Sequence, residues 1–156
     1  MIGKGKFSNV YAGIDTTKEE AVAIKVVNLT EIKESALMNL LNQEVELIST
    51  INHPNIIKCY GVLKSQNNYY IVMELCQKDN LEVLLRKKGK FEEKDIQRYI
   101  YDVFLGLEYL AQKSIVHRDL KISNILIGEK GKAKICDFGF ATKCMTESTD
   151  IFIGTP

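Results

Sequence analysis

The sequence predicts an α+β fold, on three observations. Short β-branched or aromatic runs bounded by polar residues fill much of the first half: Val10-Tyr11-Ala12-Gly13-Ile14 and residues 21–27, 57–63 and 69–75. Between the second and third of these, from about Glu31 to Ile51, apolar residues recur at helical spacing instead. From Asn80 onward the pattern is helical, and it then closes on two short apolar runs, Ile125-Leu126-Ile127 and Ala133-Lys134-Ile135, around the polar turn Gly128-Glu129-Lys130-Gly131.

Taken in order, Gly3 and Gly5 sit in the segment Gly3-Lys4-Gly5-Lys6-Phe7-Ser8-Asn9-Val10. Two glycines spaced in this way let a backbone turn lie close over phosphates and offer it N–H donors, and they also suit a plain hairpin turn. A strand follows them, whereas a dinucleotide-binding fingerprint needs a helix there, so that site is disfavoured. In the run from Ala21 to Val27, side chains alternate, with Ala23 and Lys25 on one face and Val22, Ile24 and Val26 on the other. A lysine in so apolar a strand either snorkels to solvent or is held by an acid. The helical segment supplies a candidate, because Glu44 falls on the stripe of Leu37, Leu41, Ile48 and Ile51, while Glu46 lies off it and reads as solvated. His53-Pro54-Asn55 ends that helix, since a residue before proline is pushed out of the helical region. Further on, Leu81, Leu84 and Leu85 read as a short helix that Asp79 could cap, and Ile96, Tyr99, Ile100, Val103, Leu107 and Leu110 as a long one.

Composition sets bounds on function. The 156 residues are 46% hydrophobic and 26% charged, as expected of one soluble domain with a real core. Twenty-one basic against twenty acidic residues leave a formal charge of +1, so nothing global points to nucleic acid or an anionic membrane. The local cluster Arg86-Lys87-Lys88-Gly89-Lys90 reads as a solvated helix end. Cys59, Cys76, Cys136 and Cys144 have neither metal-ligand nor redox-pair spacing, which suggests reduced thiols in a cytoplasmic setting, with the nucleus as the alternative. There is no apolar run long enough to span a membrane, and Met1-Ile2-Gly3-Lys4 lacks a signal peptide's apolar core.

The chemistry concentrates in His117-Arg118-Asp119-Leu120-Lys121-Ile122-Ser123-Asn124, followed thirteen residues later by Asp137-Phe138-Gly139. Two acids and an amide flank one hairpin, so Asp119, Asn124 and Asp137 can reach the same end of it, with Lys121 between the first two. Hard oxygen donors beside a cation suit magnesium and a polyphosphate, because magnesium shares its oxygen ligands with substrate phosphates.

Together these residues resemble a eukaryotic protein kinase. The likeness rests on the glycine loop Gly3 to Val10, Val22-Ala23-Ile24-Lys25, Glu44 nine residues before His53-Pro54-Asn55, His117 to Asn124, Asp137-Phe138-Gly139 and Gly154-Thr155-Pro156, all in the family's order. The resemblance implies a five-stranded antiparallel sheet with one helix (residues 1–75), then a hinge and the first part of a mainly helical lobe (residues 76–156). It implies ATP and Mg²⁺ as cofactors and a protein substrate with a serine or threonine acceptor. Asp119 would accept the substrate hydroxyl proton and Lys121 would neutralise charge on the transferred phosphoryl. Asn124 and Asp137 would hold magnesium, and Lys25, fixed by Glu44, would bind phosphates. Gly3, Lys4 and Gly5 would cover the nucleotide. Val10, Ala23 and Leu126 would sandwich the adenine, Glu74 and Cys76 would meet its edge through backbone groups, Met73 would stand behind it, and Asp79 or Asn80 would lie near the ribose.

His117, Phe138, Ile48 and Cys59 match an internal spine of the family and read as core. Cys136 reads as a small, mostly buried residue. Lys121 and the Gly-Thr-Pro ending are similar to the serine/threonine branch, and the segment 67–124 is similar to Unc-51-like and calmodulin-dependent types. Where relatives carry a phosphorylated threonine this chain has Ile151, leaving Thr149, Ser148 and Thr146 as candidates. Against the family's order the chain begins within the first strand and stops before the Ala-Pro-Glu segment. It is thus expected to be a partial domain, roughly three-fifths of the usual size, with weak nucleotide binding, little phosphotransfer and an uncovered apolar patch on the long helix. The competing readings are a pseudokinase or scaffold, whose signature would be loss of Lys25, Asp119, Asn124 or Asp137, and a small-molecule phosphotransferase of related fold.

Overall fold

A computed structural model of the chain describes residues 1–5, 7–76 and 78–143. Lys6, Cys144, Thr146, Ser148, Thr149, Ile151 and Gly154-Thr155-Pro156 lie outside the described residues. The chain divides into two units, one of Met1–Asn52 and Lys58–Leu75, the other of His53–Ile57 and Cys76–Pro156.

The first unit is a five-stranded antiparallel sheet with one helix. Its strands are β1 (Gly3–Lys4), β2 (Ser8–Asp15), β3 (Glu20–Asn28), β4 (Cys59–Lys64) and β5 (Asn68–Glu74), in the order β1-β2-β3-β5-β4. The helix α1 (Ser35–Thr50) lies between β3 and β4 in sequence. It starts four residues later than its apolar periodicity suggests. The cause is local: the Asn28 side chain accepts from the Thr30 amide and hydroxyl and donates to Glu31, closing a 3₁₀ turn over Leu29–Glu31. α1 buries Leu41, Glu44, Leu47 and Ile48, while Glu46 is exposed. Val27, Leu41 and Tyr69 form a core cluster with Leu29, Ile32, Met38, Val45 and Val62 packed around it. The Tyr69 hydroxyl also donates to Asn42 Oδ1 at 3.1 Å, tying sheet to helix. The strand expected from residue 57 begins at Cys59, because Ile57 belongs to the second unit and gives its N–H to Ile135 there.

In the second unit, β6 (Lys78–Asn80) leads into α2 (Leu81–Lys88) and then α3 (Glu93–Gln112). β7 (Ile115–Val116), β8 (Ile125–Ile127), β9 (Ala133–Ile135) and β10 (Thr142–Lys143) follow. These strands make an antiparallel sheet β6-β8-β9 and a two-stranded β7–β10 pair. β8 and β9 form the expected hairpin, with Lys130 (φ 55°) and Gly131 (φ 73°) in its turn. α2 is capped by Asn80, whose Oδ1 accepts from Val83 N–H at 2.9 Å, and not by Asp79. The cap must sit immediately before the first helical residue, and Asp79 is one residue too early; it pairs with Lys87 instead.

The buried line of α3 is Tyr99, Asp102, Gly106 and Leu110. Ile96 and Ile100, on the apolar stripe read from the sequence, are 41% and 64% exposed, as is Phe104 at 64%, in keeping with the uncovered apolar patch expected on this helix. Gly106 explains why the buried line runs beside that stripe. A Cβ there would stand 3.0 Å from Ile135 Cδ1 and 3.1 Å from Asn55 O, so the bare glycine face is the one that lets the helix approach β9. No described helix is long and apolar enough to cross a membrane.

Candidate active site

In the first unit, strand register decides which side chains share a face. Gly3 pairs with Val10, Val10 with Lys25, and Lys25 with Ile71; two residues along, Ala12 pairs with Ala23, and Ala23 with Met73. Val10, Ala23, Lys25 and Met73 therefore share one face, and Gly3 lies beside Val10. Gly5 N–H donates to Ser8 O at 2.7 Å, and a Cβ on Gly5 would stand 2.9 Å from Ser8 Oγ, so the β1–β2 turn is tight there. Lys4 is exposed at the start of this turn. Lys25 does not snorkel: its Nζ donates to Glu44 Oε1 at 2.5 Å, with the two side chains only 19% and 9% exposed. The helix thus holds the ammonium at the middle of the strand by a charge-assisted bond. At the end of β5, Glu74 N–H donates to Lys58 O and Glu74 Oε2 accepts from Lys58 N–H. Ile48 is buried, and Cys59 is half-buried with its thiol pushed up chiefly by burial.

The second unit gathers the other expected residues. Asp119 is buried and its Oδ2 lies 3.1 Å from Lys121 Nζ. Asn124 Nδ2 donates to the Asp119 carbonyl at 2.9 Å and to Asp119 Oδ2 at 3.0 Å. Both partners are acceptors, which orients the amide and leaves Oδ1 as the oxygen Asn124 can offer a cation. The Asn124 carbonyl in turn accepts from Cys136 N–H at 2.9 Å, joining the first loop to the strand that leads into Asp137. His117 ties the same strand from the other side. Asp119 N–H donates to its Nδ1 at 3.3 Å, so Nε2 carries the proton and donates to Cys136 O at 3.0 Å. A neutral ring fits: burial pushes the His117 pKa down, against the smaller upward pulls of its bond to Cys136 and of Asp137 and Asp119. Phe138 is fully buried and meets the His117 ring edge-on at 5.0 Å.

Asp137 is exposed between these anchors, with φ 65°, and Arg118 has φ 64°. Left-handed backbone at such residues costs about 1–3 kcal/mol each unless the surroundings hold it. Here Arg118 Nε donates to Phe140 O at 2.6 Å, and β10 pairs with β7 beyond it. Leu126 is half-buried between the buried Ile125 and Ile127, so it occupies the opposite face of β8. Cys76 is half-buried. Asn80 is committed to capping α2, which leaves Asp79, in an exposed pair with Lys87, as the more available polar side chain of the two.

No group of three or more His, Cys, Asp or Glu among the described residues could by itself cage a metal. Magnesium does not require one, since it binds through one or two protein oxygens and completes its shell with water and phosphate. The Asn124 amide oxygen and the Asp137 carboxylate fit that demand in kind. Asp102 and Asn55 were not legible as part of this constellation. A polar residue on the buried line of a helix, the signal that revealed Glu44, would have pointed to Asp102.

A family profile described as the protein kinase domain matches residues 1–156. The chain belongs to the protein kinase family. Among its relatives, the cytokinesis protein sepH of Aspergillus niger is 34% identical over 99% of this chain and 12% of its own length. MAP3K epsilon protein kinase 1 of Brassica napus is 38% identical, again over 99% of this chain and 12% of its own length. The Aurora kinase of Encephalitozoon cuniculi is 33% identical over 99% of this chain and 57% of its own length. The chain therefore spans about an eighth of the sepH and MAP3K epsilon proteins and just over half of this Aurora kinase. These names do not single out an Unc-51-like or calmodulin-dependent type.

Proposed function

We propose that this chain carries the nucleotide-binding and catalytic-loop part of an ATP-dependent serine/threonine protein kinase, with residues 1–75 as the N-lobe and 76–156 as the hinge and the start of the C-lobe. The observation that carries the reading is the buried Asp119 carboxylate held by both Asn124 and Lys121. A base fixed in this way can orient a substrate hydroxyl and take its proton, while Lys121 offsets charge on the transferred phosphoryl. Lys25, steadied by Glu44, would bind the α and β phosphates, under backbone donors of the Gly3–Gly5 turn. Asn124 and Asp137 would hold magnesium, which when bound supplies charge neutralisation along the phosphates. Glu74, whose N–H is engaged by Lys58, would offer its carbonyl to the adenine edge, and Cys76 would add a backbone group. By the family resemblance, Val10, Ala23 and Leu126 would supply apolar surface for the ring with Met73 behind it, and Asp79 would offer a contact for the ribose. Lys121 favours a serine or threonine acceptor.

The test is single-turnover transfer from labelled ATP to a serine/threonine peptide library, comparing the protein with Asp119→Asn. Magnesium-dependent labelling that falls by about 10²–10⁴-fold in the variant supports the reading. Labelling that is indifferent to Asp119 overturns it.

A further inference from the structure

We propose that Asp102, a residue in the middle of α3 with no role in the reaction described above, is a positioning residue for Asp137, and that it sets the magnesium-dependent part of nucleotide affinity. The inference rests on the reading of Asn124 and Asp137 as the magnesium ligands.

Three carboxylates are buried among the described residues: Glu44, Asp102 and Asp119. Glu44 faces Lys25 and Asp119 faces Lys121. Asp102 is different, because the partner its carboxylate takes is a neutral backbone group: Oδ2 accepts from Ala133 N–H at 2.8 Å. Burying a carboxylate against an amide is expensive unless the bond is needed. Ala133 begins β9, and β9 is the edge strand of its three-stranded sheet, with β8 on its inner side. An edge strand exposes a row of donors and acceptors that must be met by something else.

Here the outer edge is closed group by group. Asp102 takes Ala133 N–H, Asn55 Nδ2 donates to Ala133 O at 3.1 Å, Asn55 O accepts from Ile135 N–H at 2.9 Å, and Ile57 N–H donates to Ile135 O at 2.9 Å. Gly106, one turn after Asp102, lets α3 come close enough for the first of these bonds. The next residue, Cys136, is held through its N–H by Asn124 O and through its carbonyl by His117. Asp137 follows at once, exposed and in the left-handed region. Its placement therefore depends on the register of β9, and among the described residues named here as closing the outer edge of that strand, Asp102 is the charged one. Removing its acceptor leaves Ala133 N–H unmet inside the fold and loosens the strand that links Asp137 to Asn124.

The experiment measures binding of a non-hydrolysable ATP analogue, with saturating Mg²⁺ and with EDTA, to the protein and to Asp102→Leu and Asp102→Asn. Leucine keeps the branched shape, in a larger volume, and removes the acceptor; asparagine keeps both the volume and an acceptor for Ala133 N–H. Asp102→Leu is expected to lose about tenfold of the magnesium-dependent gain in affinity while its affinity in EDTA matches the parent, and Asp102→Asn is expected to keep the gain. If Asp102→Leu does not fold, Asp102→Ala, which leaves room for a water at Ala133, is read in the same way. An unchanged gain in the apolar variant, or equal losses with and without magnesium, overturns the positioning role. No magnesium-dependent gain in the parent protein overturns instead the ligand reading beneath it.

Discussion

Asn124 donates both amide hydrogens to Asp119, one to its carbonyl at 2.9 Å and one to Oδ2 at 3.0 Å. The two side chains are buried together, so the amide is a fixed donor to the Asp119 carboxylate. Replacing Asn124 by Asp sets two carboxylates and a carbonyl against one another. We expect Asn124→Asp to cost about 2–4 kcal/mol at neutral pH. Sharing a proton raises the folded pKa of the pair, so this loss is present at high pH and recovers as pH falls below the raised value. Urea denaturation at neutral and mildly acidic pH measures both; an Asn124→Asp protein as stable as its parent at neutral pH contradicts the geometry.

Lys25 and Glu44 form a shielded pair whose halves depend on each other. Lys25→Met strands Glu44 and is expected to destabilise by about 1–3 kcal/mol, whereas Lys25→Met with Glu44→Leu recovers most of that loss. Nucleotide affinity is not expected to return with stability. Thermal denaturation and nucleotide titration of the single and double variants separate the two effects, and an affinity restored in the double variant contradicts a phosphate-binding role for Lys25.

His117 is held neutral, with its pKa below the ordinary 6.5 because of burial. The unfolded chain then takes up the proton first as pH falls, so the stability His117 contributes is complete above the unfolded value and declines below it. His53 is shifted in the same direction, by burial and then by Lys134. Lowering the pH from about 7.5 to about 5.5 is expected to lower Tm, and His117→Phe, although less stable, is expected to lose less over that range. A His117→Phe protein with the parent's full pH dependence contradicts the assignment.

Gly106→Ala improves helix propensity, yet its Cβ would meet Ile135 Cδ1 at 3.0 Å and the Asn55 carbonyl at 3.1 Å. Backbone cannot yield as a side-chain tip can. The substitution is expected to destabilise by about 1–3 kcal/mol, measured by chemical denaturation; a stabilised variant contradicts the close approach of α3 to β9.

Much of this was legible in the sequence because periodicity and chemistry agreed. Alternation in β3 put Lys25 with Ala23, and Glu44 stood on a helical stripe where a carboxylate needs a cation. His117 to Asn124 and Asp137 bracket a hairpin that formed as expected. What failed did so for local reasons. The start of α1 was lost to the Asn28 turn, and the α2 cap fell to Asn80 and not Asp79. On α3 the apolar stripe was legible, but a glycine and an acid beside it, Gly106 and Asp102, carry no apolar signal, and those two residues are the ones that make its contact with β9.

Whether Asn124 and Asp137 hold magnesium on a bound nucleotide is decided by titrating the protein and Asp137→Asn with a fluorescent ATP analogue in Mg²⁺ and in EDTA. Magnesium is expected to tighten binding to the parent, and Asp137→Asn is expected to lose this gain while its affinity in EDTA is unchanged. Equal affinity in the two conditions for the parent, or a full magnesium gain in Asp137→Asn, would contradict it.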